Sequence, residues 1–429
     1  MKEIKLSIVN EKIIYDKLSN GLEVYIIRKK DFNSSYATFI TNFGGIDLEF
    51  IPINEEKMVT MPAGIAHFLE HKLFEQESGE SVHEYYGKSG TYVNAMTGYK
   101  RTKYIFNGTK DFKNNLNFLL DFVQTPYFTD ENVEKEKGII LQEAYMCLDD
   151  KNRLFNETIM KNLYNSFRYD KKIIGDIEDI KSITKEDLYR CYNSFYHPSN
   201  MALLVVTNED EKEVLEIIKN NQDKKDYKKD FKIIRKEYDE DIKVRKEYEE
   251  IITDVSENRM CYSLKFKLSD FNKKKIEVYD YIYIMLGILI GDLSEFNLNL
   301  KEKGIIKDNI GYSLNSKSNK DDQFITVHIY ALTDKEKEFI ELLEKQLMKK
   351  EVSEELFDLY KKTIVSDFNY GFNSVSGIMN YMVSEYEFIH KIDNESIIEE
   401  MNLNYDSFMD VINKFNINNK SIVVMKKNK

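Results

Sequence analysis

The chain has 429 residues, more than one ordinary domain holds, so two or more domains are expected. Hydrophobic residues make up 42% and charged residues 32%, a balance typical of soluble globular proteins. The net charge is −12 and no basic block is present, which argues against nucleic acid as a partner.

Neither a secretory leader nor a membrane span is expected. The first twelve residues carry charges at five positions and have no long apolar core. The longest apolar run, at 281–291, is too short to cross a bilayer. Cys147, Cys191 and Cys261 are odd in number and widely spaced, which argues against a disulfide framework and favours the reducing cytoplasm.

The first elements in chain order predict a sheet covered by helices. Residues 21–29 and 35–45 are rich in β-branched and aromatic residues and are predicted to be strands. A helix is expected from Pro62 to about residue 75, because proline is favoured in a first helical turn. The stretch 91–109 predicts a hairpin. Two helices are then expected near 111–124 and 129–149, separated by a proline at 126.

Two pairs of segments resemble each other across the chain. Residues 183–207 and 403–427 share a pattern of helix, turn and buried strand at an offset of 220 residues. Residues 128–143 and 352–367 share a helical pattern at an offset of 224 residues. Two similar offsets predict an internal duplication, although chance agreement of apolar patterns is the alternative.

The duplication predicts two α+β domains, each a mostly antiparallel sheet with helices packed on one face. The expected domains are 1–225 and 251–429, joined by a charged and solvated linker at 226–250. A short amphipathic helix is expected just before the linker. Residues 281–300 are the expected helix of the second domain that corresponds to the helix from Pro62.

The stretch GIAHFLEHKLFE at 64–75 carries the strongest chemical signal. His67 and His71 are four residues apart, so on a helix both imidazoles leave the same face. Glu70 lies beside that face and can reach the open side of a metal ion without being a ligand. This H-x-x-E-H order is a zinc-peptidase signature. A buried histidine pair satisfied by hydrogen bonds is the alternative.

A catalytic zinc site needs three protein ligands and one open position. Glu143 is the candidate for the third ligand. Glu136 lies two turns earlier on the same face, where its carboxylate can hold the free N–H of a ligand histidine. Both glutamates are equally compatible with an ordinary charged helix surface.

Five motifs in order resemble the insulinase/pitrilysin family of inverted zinc peptidases. They cover most of residues 15–207 and are GLEVYIIRK, GIAHFLEHKLFE, VNAMTGYKRTKYIF, TPYFTDENVEKEKGIILQEAYM and SITKEDLYRCYNSFYHPSNM. The resemblance is greatest to short bacterial members related to mitochondrial processing peptidase. It implies that the chain forms one half of a clamshell.

The resemblance also implies roles for the candidate residues. In this family two histidines and a later glutamate bind Zn²⁺, which implies His67, His71 and Glu143. The glutamate of the motif is the general base, which implies Glu70. An acidic residue seven positions before the third ligand supports the site, and this position is Glu136.

Further positions match the family's substrate contacts. Asn94 and Ala95 match a pair on an edge strand, where an extended peptide can add its backbone. In the second domain Tyr312 matches a tyrosine that holds the substrate and the oxyanion, beside an arginine whose place is taken at best by Lys301. Lysine cannot form the bidentate contact that arginine forms. The resemblance therefore implies a homodimer, or a heterodimer in which a related chain supplies an arginine and a tyrosine.

The second domain is expected to be inactive, because it has no histidine pair and Asp367 takes the place of Glu143. The predicted function is a zinc metalloendopeptidase that hydrolyses peptides or unfolded polypeptides in an enclosed chamber. Two alternatives remain open, namely a dedicated maturation protease for one modified or secreted peptide and a non-catalytic peptide-binding or scaffold subunit. The intact set of motif residues argues against the non-catalytic role.

Overall fold

The computed structural model describes residues 1–6, 9–227, 232–316, 323–393 and 402–428. Within these residues the chain forms an α+β fold, as predicted. The strands are β1 (Lys2–Leu6), β2 (Glu11–Lys17), β3 (Glu23–Arg28), β4 (Ser35–Thr41), β5 (Glu49–Ile51), β6 (Val59–Thr60), β7 (Tyr92–Thr97), β8 (Thr102–Gly108), β9 (Met201–Thr207), β10 (Ile234–Arg235), β11 (Tyr248–Thr253), β12 (Arg259–Lys267), β13 (Gly311–Ser316), β14 (Phe324–Leu332) and β15 (Lys420–Lys427).

The α-helices of the same residues are named in chain order. They are α1 (Ile65–Leu73), α2 (Val82–Lys88), α3 (Phe112–Gln124), α4 (Asp130–Asp149), α5 (Lys151–Leu163), α6 (Ile177–Ser182), α7 (Lys185–Phe195), α8 (Glu211–Gln222), α9 (Lys275–Ile290), α10 (Glu295–Glu302), α11 (Glu336–Leu347), α12 (Glu354–Gly371), α13 (Val375–Ile389) and α14 (Tyr405–Lys414). In this part of the chain, none of the helices combines the length and the apolar character that crossing a bilayer requires.

The chain divides into two compact units, and each takes segments from both halves of the sequence. The first unit comprises Met1–Cys147, Lys171–Lys236 and Asn369–Asn394. The second unit comprises Leu148–Asp170, Glu237–Phe368 and Glu395–Lys429. The units therefore differ from the predicted domains chiefly in two helical segments. Residues 148–170 belong to the second unit, and residues 369–394 belong to the first.

The first unit is built on a seven-stranded sheet in the order β1-β2-β3-β9-β4-β8-β7. Its strand pairs are antiparallel except for β3 with β9. Strand β9 is buried at every residue, which requires packing on both faces of the sheet. Strand β7 forms one edge of the sheet, beside the hairpin turn that joins it to β8.

The two faces of this sheet are covered by different helices. Side chains alternate along a strand, and Val24, Ile26 and Phe39 point into a core that includes residues of α1, α3, α7 and α8. On the opposite face Tyr25 lies 6.3 Å from Tyr386 of α13, ring centroid to ring centroid, and α13 packs against β4 and β9. Helices were predicted on one face, and α13 adds a cover on the other.

The second unit is built on a five-stranded sheet in the order β11-β15-β12-β14-β13. Its core lies between this sheet and residues of α9, α11 and α14. The single parallel pair of this sheet, β11 with β15, takes the place of β3 with β9 in the first unit. The two sheets thus repeat one arrangement, with α7 before β9 and α14 before β15, as the internal duplication predicts.

The exchanged helices occupy equivalent places. Helix α5 packs against β12 and β15 in the second unit, and α13 packs against β4 and β9 in the first. Since β4 corresponds to β12 and β9 to β15, each central strand pair is covered by a helix from the other half of the sequence. Neither sheet is therefore completed by its own half of the chain.

Two predictions require correction. The described residues of 226–250 are exposed or half-buried, as expected of a solvated linker, except that β10 pairs with β5 and that Glu240 is buried in an ion pair with Lys265. The single helix expected over 281–300 is two helices, because α9 ends at Ile290 with Gly291 as its C-cap, and Ser294 caps the start of α10. The amphipathic helix expected before the linker is α8, and this prediction is confirmed.

Candidate metal centre

Helix α1 begins at a position that only glycine fills easily. Gly64 has φ of 91°, and a Cβ there would lie 2.3 Å from the carbonyl oxygen of Ile174. Gly175, at φ of 89°, approaches from the other side, where a Cβ would lie 2.4 Å from the carbonyl oxygen of Ala63. The two glycines allow the loop before α6 to pack directly on the start of α1 and set its direction.

One face of α1 is buried in the core of the first unit and the other carries the polar motif. The buried side chains of this helix are Ile65, Ala66, Phe68, Leu69, Lys72 and Leu73. His67, Glu70 and His71 are only partly exposed and share the remaining face. The ring centroids of the two histidines are 4.6 Å apart, as expected for residues one helical turn apart.

Helix α4 brings a carboxylate to both imidazoles. Glu143 Oε1 lies 3.6 Å from His67 Nε2, and Glu143 Oε2 lies 3.5 Å from His71 Nε2. One donor atom from each of the three residues lies within 4.8 Å of the others. The sequence separates Glu143 from His71 by two helices and a hairpin, and the tertiary structure brings them together.

These separations fit a metal ion bound by all three residues. Zinc–ligand bonds of about 2.1 Å in a tetrahedron place neighbouring ligand atoms about 3.4 Å apart. The two histidine–carboxylate distances, 3.5 Å and 3.6 Å, are close to this value, and they end on different oxygens of Glu143. Imidazole and carboxylate are also the donor types of known catalytic zinc sites.

Glu136 holds the outer ring nitrogen of His71. His71 Nδ1 lies 2.9 Å from Glu136 Oε1, so a proton on Nδ1 leaves Nε2 with a lone pair that points toward Glu143. Burial alone would lower the pKa of His71, but this hydrogen bond and the surrounding carboxylates raise the pKa overall. Glu136 thus lies where the sequence predicted a supporting carboxylate.

Replacing Glu136 by glutamine should weaken metal binding without removing a ligand. We expect the affinity for Zn²⁺ to fall about 10–100-fold, because His71 loses its orienting charge. Competition with a zinc chelator would measure this. Glu134→Gln is the matched control, since Glu134 lies on the same helix but is 68% exposed and pairs with Lys137. Equal affinities for the two variants would contradict the supporting role of Glu136.

Glu70 lies beside the candidate ligands and is held by a residue of strand β7. Thr97 Oγ1, at the end of β7, donates a hydrogen bond to Glu70 Oε2. Burial raises the pKa of the Glu70 carboxyl above its ordinary value, although the hydrogen bond from Thr97 and the charge of His71 lower it. Thr97 was not predicted as a site residue, because it lies 27 residues from Glu70, although it is part of the motif VNAMTGYKRTKYIF.

Asn94 and Ala95 lie on the edge strand β7, as the family resemblance predicted. The Ala95 N–H donates to Asn94 Oδ1 at 2.9 Å, and Asn94 Nδ2 donates to the Tyr92 hydroxyl at 2.7 Å. Asn94 is exposed, together with Tyr92 and Met96, which are 58% and 61% exposed on the same face of the strand. This edge therefore presents backbone and apolar side chains together.

The two predicted residues of the second unit have local partners. Tyr312 lies on β13, its ring centroid is 5.3 Å from that of Tyr283, and burial raises its pKa well above the usual value. Lys301 lies on α10 and donates to Asn309 Oδ1 at 3.0 Å.

Cys147 and His328, which were not predicted as site residues, lie in or against the cores of their units. Cys147 packs against the core of the first unit. His328 is buried in the sheet of the second unit, with Nδ1 3.1 Å from Ser263 Oγ and Nε2 3.1 Å from Thr326 Oγ1. Hydroxyl groups thus contact both ring nitrogens of His328, which is typical of a core histidine.

Two family models match the chain. The model described as insulinase (peptidase family M16) matches residues 60–177, which contain His67, Glu70, His71 and Glu143. The model described as peptidase M16 inactive domain matches residues 182–364, which contain no H-x-x-E-H motif. The peptidase model thus matches the part of the chain that carries the motif, and the inactive-domain model matches the part that lacks it.

Named relatives and solved structures agree with these matches. The chain is 39% identical over 313 residues to the uncharacterized zinc protease YmfH of Bacillus subtilis (strain 168), covering 73% of each chain. It is 28% identical to an uncharacterized zinc protease of Rickettsia felis, covering 48% of this chain and 49% of that one. An M16-like peptidase from Alicyclobacillus acidocaldarius superposes with a TM-score of 0.88 at 27% identity, covering 97% and 99% of the two chains. A protease from Helicobacter pylori has the same fold, with a TM-score of 0.78 at 18% identity over 97% and 100% of the chains.

Proposed function

Because the chain belongs to the insulinase (M16) family of peptidases, we propose that it is a zinc-dependent endopeptidase that hydrolyses peptides or unfolded polypeptides. The observation that carries the proposal is the convergence of His67, His71 and Glu143, with donor atoms within 4.8 Å of one another. The fit of these donors to a tetrahedral ion and the names of the zinc-protease relatives support zinc as the metal.

The chemistry follows from the groups around the site. His67, His71 and Glu143 would hold a Zn²⁺ ion, which would lower the pKa of a bound water to about 7 and polarise a carbonyl group. Glu70 is the general base, which takes the proton of the attacking water and returns it to the leaving amine. Its neighbour Thr97 keeps the carboxylate on the side of the motif histidines. The carboxylates of Glu136 and Glu143 add negative charge that favours a bound cation.

The edge strand β7 is the proposed site of substrate binding. An extended peptide adds its backbone beside Asn94 and Ala95, as a further strand of the sheet. Alternate side chains of that peptide then lie over Tyr92 and Met96, both more than half exposed. Their apolar surfaces favour bulky apolar residues in the substrate.

A second chain is part of the proposal. The family's substrate clamp uses an arginine, and Lys301 at the corresponding place supplies a single point charge. Lys301 also donates to Asn309, which engages its ammonium group locally. A partner of the same fold that carries the arginine and the tyrosine would complete the enclosed chamber, as a homodimer or a heterodimer.

The cytoplasm is the proposed location. Cys191 and Cys261 are buried thiols, and burial raises the pKa of Cys261 to about 12. Such thiols are unreactive and fit a reducing compartment.

The test is digestion of a mixed pool of unfolded peptides by the purified, zinc-loaded chain, with products identified by mass spectrometry. We expect cleavage that stops when zinc is removed with a chelator and returns when zinc is added. Cleavage that appears only with a second, related chain would assign the missing arginine to that partner. Failure of the chain to bind zinc stoichiometrically would contradict the metal site itself.

A further inference from the structure

One hydrogen bond joins the helix that carries the metal ligands to the edge strand of the sheet. Thr97 Oγ1 donates to Glu70 Oε2. Glu70 comes from α1 and Thr97 from the last position of β7, so the contact depends on how these two elements pack. A glutamate has three rotatable side-chain bonds, and a donor at its end selects one arrangement.

The backbone after Thr97 is anchored by a neighbouring loop. The Gly45 N–H donates to the Gly98 carbonyl at 3.0 Å, and the Ile46 N–H donates to the Tyr99 carbonyl at 3.0 Å. These two hydrogen bonds hold the turn between β7 and β8 in addition to the hydrogen bonds that pair the two strands. The end of the edge strand, and with it Thr97, is therefore held in place on a rigid support.

A second threonine, on the neighbouring strand β8, contacts Thr97. Thr102 is the cross-strand partner of Thr97, and their hydroxyl oxygens are 3.3 Å apart. Thr102 Oγ1 donates its proton to the Phe43 carbonyl at 3.0 Å and Thr97 donates its own to Glu70, so the two hydroxyl oxygens are in contact without a hydrogen bond between them. The hydroxyl of Thr97 is thus confined between Glu70 on one side and Thr102 on the other.

We propose that Thr97 is a positioning residue that fixes the carboxylate of Glu70 in the orientation needed for proton transfer, with Thr102 limiting the rotation of Thr97. The inference rests on the proposed role of Glu70 as general base. A carboxylate displaced by about 1 Å reacts about 100-fold more slowly, because the proton-transfer geometry is lost. Substrate binding on β7 does not use the Thr97 hydroxyl, so the effect falls on kcat and spares KM.

The experiment compares Thr97→Val, Thr97→Ser, Thr102→Val and Glu70→Gln in the zinc-loaded full chain. Valine has the shape of threonine without the hydroxyl, and serine retains the hydroxyl. The first readout is a set of crystal structures that locate the Glu70 carboxylate. The second is kcat and KM on a quenched fluorescent peptide chosen from the pool that the wild type cleaves. Thr60→Val, at an exposed position of β6, is the control for substitution in a strand.

We expect Thr97→Val to release the Glu70 carboxylate from its single orientation and to lower kcat about 10–100-fold at unchanged KM and zinc content. Thr97→Ser should behave as the wild type, and Thr102→Val should give a smaller loss. A Glu70 carboxylate that keeps its place in Thr97→Val would overturn the inference, even if the isolated chain cleaves no peptide. Full activity of Glu70→Gln would instead overturn the proposed function, so the two failures are distinguishable.

Discussion

Glu70→Gln should abolish most peptidase activity while the protein keeps its metal. We expect kcat to fall about 10²–10⁴-fold, the usual contribution of a general base. Glutamine has the size of glutamate and can still accept the hydrogen bond from Thr97, but its amide cannot take up a proton. Metal content by atomic absorption and initial rates of peptide cleavage, measured on the same preparation, would check this.

The control for this prediction is Glu77→Gln, which removes a negative charge from an exposed position near α1. It should cleave peptides at the wild-type rate, which would exclude a general effect of charge. Two results would count against the proposed mechanism. Activity of Glu70→Gln near the wild-type level would show that another group takes the proton, and loss of zinc would show that Glu70 maintains the site rather than acting in the reaction.

Glu240→Ala should destabilise the second unit by about 3–5 kcal/mol, the cost of removing one partner of a buried ion pair. The Glu240 carboxylate accepts the backbone N–H groups of Asn165, Ser166 and Phe167. Lys265 Nζ lies 2.7 Å from Glu240 Oε1, and both side chains are 1% exposed or less. Alanine would leave the Lys265 ammonium buried without its counter-charge, although burial already lowers the pKa of Lys265.

Unfolding in urea followed by circular dichroism would measure this loss, because the chain has no tryptophan for fluorescence. Glu213→Ala is the matched control, since Glu213 and its partner Lys113 are more than half exposed, and a change within about 0.5 kcal/mol is expected. The double variant Glu240→Ala/Lys265→Met should recover part of the stability, because it also removes the unpaired charge. A Glu240→Ala protein as stable as this control would show that the pair is not a structural anchor.

Local patterns in the sequence predicted the elements that carry the site. Pro62 predicted the start of a helix, and α1 begins three residues later. The hairpin predicted over 91–109 is formed by β7 and β8. These predictions succeed because helices and strands leave a regular spacing of side chains among neighbouring residues. That spacing can be recognised without knowing the distant contacts of the chain.

The burial of Glu240, within an otherwise exposed or half-buried charged segment, was not predictable in the same way. A run of lysine and glutamate is usually solvated, and Glu240 is buried where Lys265 on β12 and three backbone N–H groups lie opposite it. The exchange of α5 and α13 between the units was also not predictable from local patterns. Helix α5 belongs to the first half of the sequence but packs on β12 and β15, and α13 belongs to the second half but packs on β4 and β9. The periodicity of a helix does not encode which sheet it will cover.

The sequence by itself determined that this protein has two copies of one α+β unit and that His67, Glu70 and His71 share one face of a helix, because both conclusions depend on spacing along the chain. The family resemblance predicted Glu143 as the third residue of the site, but only the tertiary structure shows where its carboxylate lies relative to the two histidines and which hydroxyl holds Glu70. Glu143 and Thr97 lie on α4 and β7, and they reach α1 only through the packing of these elements on one core. Distances between side chains on different elements depend on that packing, which no single stretch of sequence records.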